Sequence, residues 1–94
     1  MIPDIKKRAA HRIKIIEGQI KGVQKMIDSE AYCMDILIQS LAIQKSLSSL
    51  DKLVLENHLK THIRAMFSSN DEAQQEQAIE ELLKLYELTQ KSGQ

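Results

Sequence analysis

An all-α fold is predicted for this chain of 94 residues. Only three Gly and one Pro interrupt the sequence, so the turn signals of a sheet are scarce. Leu, Ile, Lys, Glu, Gln and Ala dominate, and these residues favour helices. Apolar residues also recur at helical spacing through three successive segments. The length fits a single domain spanning residues 1–94.

The first predicted helix starts at Asp4, which we expect to be its N-cap. Apolar residues follow at intervals of three and four: Ile5, Ala9, Ile13, Ile16, Ile20, Val23 and Ile27. The pattern stops at residues 28–30, where Ser29 is expected to cap the next helix. Gly18 and Gly22 each cost the helix about 1 kcal/mol relative to Ala. Close approach of another helix, or of DNA, would offset that cost.

The second predicted helix spans about residues 30–67 and contains no Gly or Pro. Its segment 36–43 is apolar on nearly every side, which is typical of a helix buried all round. We therefore expect a partner subunit to cover it. A competing interpretation breaks this helix at Ser48-Ser49, where a capping box with Asp51 would start a new helix and an intrachain hairpin.

The third predicted helix begins at residues 69–72, with a capping box between Ser69 and Glu72. Its apolar face has i, i+3, i+4, i+7 spacing and consists of Ile79, Leu82, Leu83 and Tyr86. Two Tyr and one Phe are the only aromatic residues of the chain. So thin a core in a small protein predicts an obligate oligomer.

The single cysteine excludes a disulfide framework within the chain. No stretch approaches the roughly 18 apolar residues of a membrane-spanning helix. The N-terminal segment becomes charged at once and lacks the apolar region of a secretion signal. We therefore expect a cytoplasmic protein without membrane association, whose thiol stays reduced.

The charges are distributed unevenly, although the net charge is zero. Residues 1–28 hold seven Lys or Arg and three acids, whereas residues 71–94 hold two Lys and six acids. A basic face for an anionic partner is one interpretation of this asymmetry. A solvated amphipathic helix with an incidental bias is the other.

Cys33, His58 and His62 have the side chains of a transition-metal site. On a helix, His58 and His62 lie on one face because they are four residues apart, and their imidazoles can chelate one ion. Taken singly, such a His pair is more often a surface coincidence and a lone Cys an inert core residue. Together, one thiolate and two imidazoles suit soft or borderline ions: Cu(I), Zn(II), or Ni(II) and Co(II).

The position of Cys33 indicates a site shared between two chains. Along a continuous helix, 25 residues separate Cys33 from His58, which is roughly 37 Å at 1.5 Å per residue. The two residues then cannot hold one ion within a chain. The same helix of a second subunit, running antiparallel, would bring residue 33 beside residues 58 and 62. A two-fold dimer would have two identical sites.

The chain resembles the CsoR/RcnR family of metal-sensing repressors. The matching residues are Arg12, Gly18-Gln19, Ala31-Tyr32-Cys33, Asn57-His58-Leu59, His62 and Ile79-Glu80-Glu81-Leu82. The resemblance implies a three-helix protomer, an antiparallel dimer that forms a four-helix bundle, and a dimer of dimers. It also implies a repressor whose apo form binds operator DNA and which releases DNA when metal binds, so that metal efflux or detoxification genes are derepressed.

The resemblance assigns the metal ligands to Cys33, His58 and His62. Copper sensors usually have a second Cys where this chain has His62, and nickel/cobalt sensors with His there add an N-terminal His, where this chain has Met1. Tyr32 and Glu81 look like the copper branch's pair that hydrogen-bonds the ligating imidazole. The resemblance therefore favours Cu(I), with Ni(II)/Co(II) sensing as the alternative and Zn(II) as a further candidate.

A basic face that contacts DNA phosphates is expected in the apo tetramer, formed mainly by the first helix. Five residues are assigned to it: Arg12, Lys14, Lys21, Lys25 and Lys52. Arg12 matches a basic position of the family, whereas the other four are assigned from charge.

Four other functions receive less support from the residues. Persulfide sensing through a disulfide needs two thiols, and the chain has one. A formaldehyde sensor of this family uses an N-terminal Pro amine, whereas Ile2 precedes Pro3 here. A Cys-His enzyme needs an oxyanion-forming turn, which is not evident, so we expect no catalysis. A non-regulatory helical bundle would show neither metal-dependent spectra nor salt-sensitive DNA affinity.

Overall fold

The computed structural model of the protein describes residues 1–92. Gly93 and Gln94, which complete the predicted domain, lie outside the described residues. The described residues form four α-helices and one π-helical turn, and they contain no strand. The elements are α1 (Pro3–Asp28), α2 (Cys33–His58), the π-helical turn (Leu59–Ile63), α3 (Arg64–Ser68) and α4 (Glu72–Ser92). The predicted all-α fold is confirmed.

Helix α1 begins at Pro3, and Ile2 occupies its N-cap position with φ −60° and ψ 125°. Pro suits the first helical position because its φ is fixed near the helical value and its missing N–H needs no partner there. The prediction that Asp4 caps this helix is wrong. The Asp4 carboxylate lies in the first turn, where the helix dipole favours it, and it pairs with Arg8 at 3.7 Å.

A Schellman motif centred on Glu30 ends α1. The Glu30 N–H donates to the Ile27 carbonyl, and the Ala31 N–H donates to the Met26 carbonyl at 2.8 Å. Glu30 adopts a left-handed φ of 53°. The prediction that Ser29 caps the next helix is wrong, because Ser29 is the C-cap of α1 and its hydroxyl donates back to Met26. Helix α2 therefore starts later than predicted.

We expect Glu30→Gly to stabilise the protein, because Gly adopts a positive φ without steric cost. The relieved strain, about 1–2 kcal/mol, exceeds the extra chain entropy of Gly, about 0.5–1 kcal/mol. The free energy of unfolding should therefore rise by roughly 0.5–1 kcal/mol, which thermal unfolding measures. Glu30→Ala keeps the strain and is the matched control, so an equal gain in both variants would contradict this explanation.

Helix α2, the π-helical turn and α3 follow one another without a break in helical backbone. His58, Ile63 and Arg64, at their junctions, have right-handed helical dihedral angles. The long second helix is confirmed and ends at Ser68, although the apolar pattern did not predict its π-helical turn. The competing break at Ser48-Ser49 is wrong. Both serines lie inside α2, in a stretch that has no Gly or Pro to interrupt it.

By packing, the chain divides into two compact units, Met1–Asn57 and a second that begins at His58. In the first unit, α1 and α2 form an antiparallel hairpin. The Ile2 N–H donates to Asn57 Oδ1 at 2.8 Å, so the start of α1 lies beside the end of α2. The buried side chains of this unit are Ile5, Ile16, Leu53 and Asn57.

In the second unit, α4 packs against α3. Asp71 caps α4, and its Oδ1 accepts the N–H of Ala73 at 2.9 Å. The prediction that Ser69 caps this helix is wrong, because Ser69 ends α3 and its carbonyl accepts a hydrogen bond from Gln75 Nε2 at 2.7 Å. The buried side chains of this unit are Ile63 and Ala78.

Large apolar side chains remain exposed on the long helices. In α2, Leu37, Ile38 and Leu41 are 56%, 59% and 58% exposed. Segment 36–43, predicted to be buried all round, is therefore only partly covered in the single chain. An exposed apolar surface of this kind marks an interaction site. Among the described residues, no helix is long and apolar enough to cross a membrane.

Gly18 and Gly22 lie on the exposed side of α1. A Cβ built at either position would meet no described heavy atom within 4 Å outside its own local backbone. The two glycines had suggested that another helix, or DNA, approaches α1 closely at these positions. Within the described residues, no other helix makes this approach.

Candidate metal centre

Two of the three predicted ligands lie together, where α2 meets the π-helical turn. His58 is the last residue of α2, and His62 lies within the turn. Their ring centroids are 5.2 Å apart and their planes are tilted by 32°. His58 is partly buried, whereas His62 is exposed. The two imidazoles are close enough to bind one ion after small side-chain rotations.

Glu81, on α4, orients the imidazole of His58. Its Oε1 lies 3.2 Å from His58 Nε2. A carboxylate at this distance favours the proton on Nε2, which leaves the Nδ1 lone pair for a metal ion. Within the described part of the chain, the other carboxylate oxygen, Glu81 Oε2, is buried and has no hydrogen-bond partner. This carboxylate can therefore accept one more hydrogen bond.

In His62, the ring nitrogen with a hydrogen-bond partner is Nδ1, whereas in His58 it is Nε2. Thr61 Oγ1 lies 3.1 Å from His62 Nδ1, so Nε2 of His62 is the nitrogen that remains for a metal ion. His62 lies within the π-helical turn, an irregularity that recurs at functional sites, and His58 directly precedes this turn. The backbone thus changes from a regular α-helix to a π-helical turn between the two candidate ligands.

The third predicted ligand, Cys33, begins α2, and its thiol is exposed. Helix α2 has 26 residues, with Cys33 at one end and His58 at the other, and a helix of that length extends about 39 Å. Within residues 1–92 of a single chain, no three His, Cys, Asp or Glu side chains are grouped so that they could hold a metal ion. One chain therefore does not assemble the predicted ligand set.

Tyr32 precedes Cys33 and is 72% exposed. Its carbonyl accepts the N–H of Asp35 at 3.0 Å, which fixes the backbone at the start of α2. The phenol is therefore displayed to solvent beside the candidate thiolate ligand.

The five predicted DNA contacts are all exposed, but they do not form one face. Lys14, Lys21 and Lys25, spaced by seven and four residues, share one stripe of α1. Arg12 is nine residues from Lys21, which places it about 180° away around the helix. Lys52 lies on α2. The predicted basic face belongs to the assembled tetramer, to which several subunits contribute, and it stays a prediction.

Arg12 also lines a shallow groove at the start of α1. The groove is lined by Asp4, Lys7, Arg8, His11, Arg12 and Ile15. Lys7, Arg8 and His11 were missed by the sequence analysis. The signal that could have found them is the i, i+4 spacing of Lys7 with His11 and of Arg8 with Arg12.

Comparisons with known proteins agree with this architecture. A family model described as metal-sensitive transcriptional repressor matches residues 5–87. The chain is 37% identical over 87 residues to the copper-sensing transcriptional repressor CsoR of Bacillus subtilis (strain 168), covering 93% of this chain and 83% of the relative. It is 38% identical over 86 residues to the copper-sensing transcriptional repressor CsoR of Mycobacterium tuberculosis (strain ATCC 25618 / H37Rv), covering 89% and 69%.

The fold is similar to a crystal structure of the copper-sensing repressor CsoR with Cu(I) from Geobacillus thermodenitrificans NG80-2. The TM-score is 0.79 at 34% sequence identity, and the match covers 95% of this chain and 88% of that chain. The family match spans most of the chain, and the relatives exceed 30% identity over most of their own length. The chain belongs to the metal-sensitive transcriptional repressor family.

Proposed function

We propose that this protein is a copper-sensing transcriptional repressor. Its apo form binds operator DNA, and binding of Cu(I) releases the DNA so that metal efflux or detoxification genes are expressed. One observation carries the proposal: Glu81 holds the His58 imidazole with Nδ1 available, one helical turn from His62. The copper-sensing repressors among its relatives support it. No residue is assigned a catalytic role.

The donor set suits Cu(I). The Cys33 thiolate is a soft ligand, and the imidazoles of His58 and His62 complete a three-coordinate set that this ion accepts. Zn(II) would need a fourth ligand, and Ni(II) or Co(II) would need more. The similar crystal structure is that of a repressor with Cu(I), which supports copper over the alternative metals.

A second subunit completes the site in this proposal. An antiparallel pair of α2 helices brings Cys33 of one protomer beside His58 and His62 of the other, and the two-fold axis generates two such sites. The same pairing buries the apolar residues that α2 exposes, including Leu37 and Leu41. The dimer is then a four-helix bundle, and two dimers form the tetramer.

Tyr32 acts beside the metal ligands in the same assembly. Because it precedes Cys33 in the chain, it arrives at the partner's His58 together with the thiolate. Its exposed phenol is a hydrogen-bond donor, and Glu81 Oε2 is a buried acceptor without a partner in residues 1–92. We assign a hydrogen bond between these two groups across the subunits, which would link metal occupancy to α4.

DNA binding is assigned to the basic residues of α1 and to Lys52 on α2. The groove with Arg12 and the stripe of Lys14, Lys21 and Lys25 would contact phosphates of the operator. Release of the DNA requires only that the metal ion binds the conformation with low DNA affinity more tightly than the conformation with high DNA affinity. Coupling free energies of about 1–3 kcal/mol are typical. Both functions reside in one domain of residues 1–94, and the protein acts in the cytoplasm, where the thiol stays reduced.

The test is an anaerobic titration of the apo-protein with Cu(I), and in parallel with Ni(II), while the fluorescence anisotropy of labelled operator DNA is followed. We expect stoichiometric Cu(I) binding and release of the DNA. Release by Ni(II) alone would assign the protein to nickel or cobalt sensing. Tight metal binding without any change in DNA affinity would overturn the repressor proposal.

Arg12→Gln should weaken apo-protein binding to operator DNA and reduce its salt dependence. Each lost phosphate contact lowers the slope of log K against log salt concentration by about 0.9, and the change is repeated in every subunit. Anisotropy titrations at several salt concentrations measure the slope. Lys84→Gln removes the same charge from α4 and is the control. Equal slopes for the two variants would remove Arg12 from the DNA interface.

A further inference from the structure

Asn57 connects the end of α2 to the start of α1. Its side-chain Oδ1 accepts the backbone N–H of Ile2 at 2.8 Å, across 55 positions of the chain. Asn57 is 8% exposed, and it is the buried polar residue of the described chain. Ile5, one turn further along α1, is 2% exposed. The hydrogen bond therefore lies at a well-packed end of the helical hairpin.

The bond provides the start of α1 with a hydrogen-bond acceptor from another helix. The first N–H groups of a helix have no intrahelical acceptor, and the N-cap residue of α1, Ile2, makes no side-chain capping hydrogen bond. Pro3 has no N–H, so Ile2 carries the last donor before the helix proper. Asn57 accepts it, and the position of α1 is thereby tied to a side chain of α2.

Asn57 also precedes His58 directly, and the π-helical turn begins at the next residue, Leu59. A metal ion bound to the His58 imidazole would act one residue away from Asn57. A change of the backbone dihedral angles at this junction would shift Asn57 Oδ1, because Asn57 and His58 are joined by one planar peptide bond. The Ile2 N–H would then be held at a different position or released.

We propose that Asn57 is a positioning residue that couples metal binding at His58 to the placement of α1, the helix that carries most of the proposed DNA contacts. This inference rests on the proposed function and names a residue through which metal binding would change the affinity for DNA. Asn57 itself contacts neither the metal nor the DNA. Without its hydrogen bond to Ile2, both ligands still bind, but each loses much of its effect on the other.

The sharpest probe is Ile2→Pro, which removes the donor and leaves Asn57 and α2 unchanged. The backbone of Ile2, at φ −60° and ψ 125°, already suits Pro. Ile2→Val keeps the N–H and controls for the altered side chain. On the acceptor side, Asn57→Ala removes the oxygen and Asn57→Asp retains one. Thermal unfolding of each variant separates loss of coupling from loss of fold.

The readout is the ratio of operator DNA affinities without and with saturating Cu(I). We expect Ile2→Pro and Asn57→Ala to bind Cu(I) with unchanged stoichiometry and to lower this ratio at least about fivefold. Ile2→Val should keep the wild-type ratio, and Asn57→Asp should restore most of it. In wild-type protein, hydrogen exchange of the Ile2 amide should be slow in the apo form and change on addition of Cu(I).

Wild-type ratios in both Ile2→Pro and Asn57→Ala would overturn this inference while leaving the proposed function intact. An Ile2 amide whose exchange is insensitive to Cu(I) would overturn it as well. If wild-type protein itself fails to release DNA with Cu(I), the proposed function fails, and the two failures are thus distinguishable.

Discussion

Cys33→Ser is expected to lower the affinity for Cu(I) more than any other single change. Structural Zn(II) sites with four ligands have binding free energies of about 10–16 kcal/mol, or roughly 3 kcal/mol per ligand. A similar loss per ligand for Cu(I) corresponds to a factor above about a hundred in affinity. The hydroxyl of Ser keeps the size of the side chain but is a hard ligand that Cu(I) disfavours. Competition with a chromophoric Cu(I) chelator under anaerobic conditions measures the loss.

Met34→Leu is the matched control for this variant. Met34 follows Cys33, is exposed, and carries the nearest other sulfur along the chain. Its replacement should leave the affinity for Cu(I) unchanged, and apo-protein binding to DNA should be preserved in both variants because the thiol lies outside the basic surfaces. Wild-type affinity for Cu(I) in Cys33→Ser would remove Cys33 from the ligand set.

Glu81→Gln is expected to reduce both the affinity for Cu(I) and the response to it. Gln can still accept a hydrogen bond from His58 Nε2, but it lacks the charge that makes the imidazole a stronger donor. Loss of such a partner typically lowers metal affinity about 10- to 100-fold. Because Glu81 lies on α4, the variant should also release less DNA when it is saturated with Cu(I).

The control for this variant is Glu80→Gln, which removes the same charge from the adjacent, exposed position of α4. We expect it to behave as wild type in the chelator competition and in the anisotropy titration. If Glu80→Gln and Glu81→Gln weakened Cu(I) binding equally, the effect would come from the overall charge of α4. The contact between Glu81 and His58 would then have no specific role.

The sequence predicted the helices well because their apolar spacing extends over many residues. The uninterrupted second helix followed from the lack of Gly and Pro over residues 30–67, and this helix places Cys33 and His58 at its opposite ends. Helix termini were predicted less well. Several polar residues near Asp4, Ser29 and Ser69 have similar capping ability, and tertiary packing decides between them.

The candidate site was only partly accessible from the sequence. The i, i+4 spacing of His58 and His62 pointed to it directly, whereas Glu81 lies 23 positions from His58, and only the family resemblance drew attention to it. The bond between Ile2 and Asn57 had no signal in the sequence, because a buried side-chain amide and a distant backbone N–H share no pattern. The predicted DNA contacts were assigned mainly from charge. Their distribution around α1 also depends on the helical angle of each residue.

The length of α2 has a consequence for how such a protein would respond in a cell. Since the ligands at its two ends belong to different sites in the proposed dimer, no complete site exists on an isolated chain. Metal binding and subunit pairing are then linked by mass action. A scarce repressor would dissociate and detect copper less sensitively than an abundant one, so the rate of its own synthesis would help to set the copper threshold.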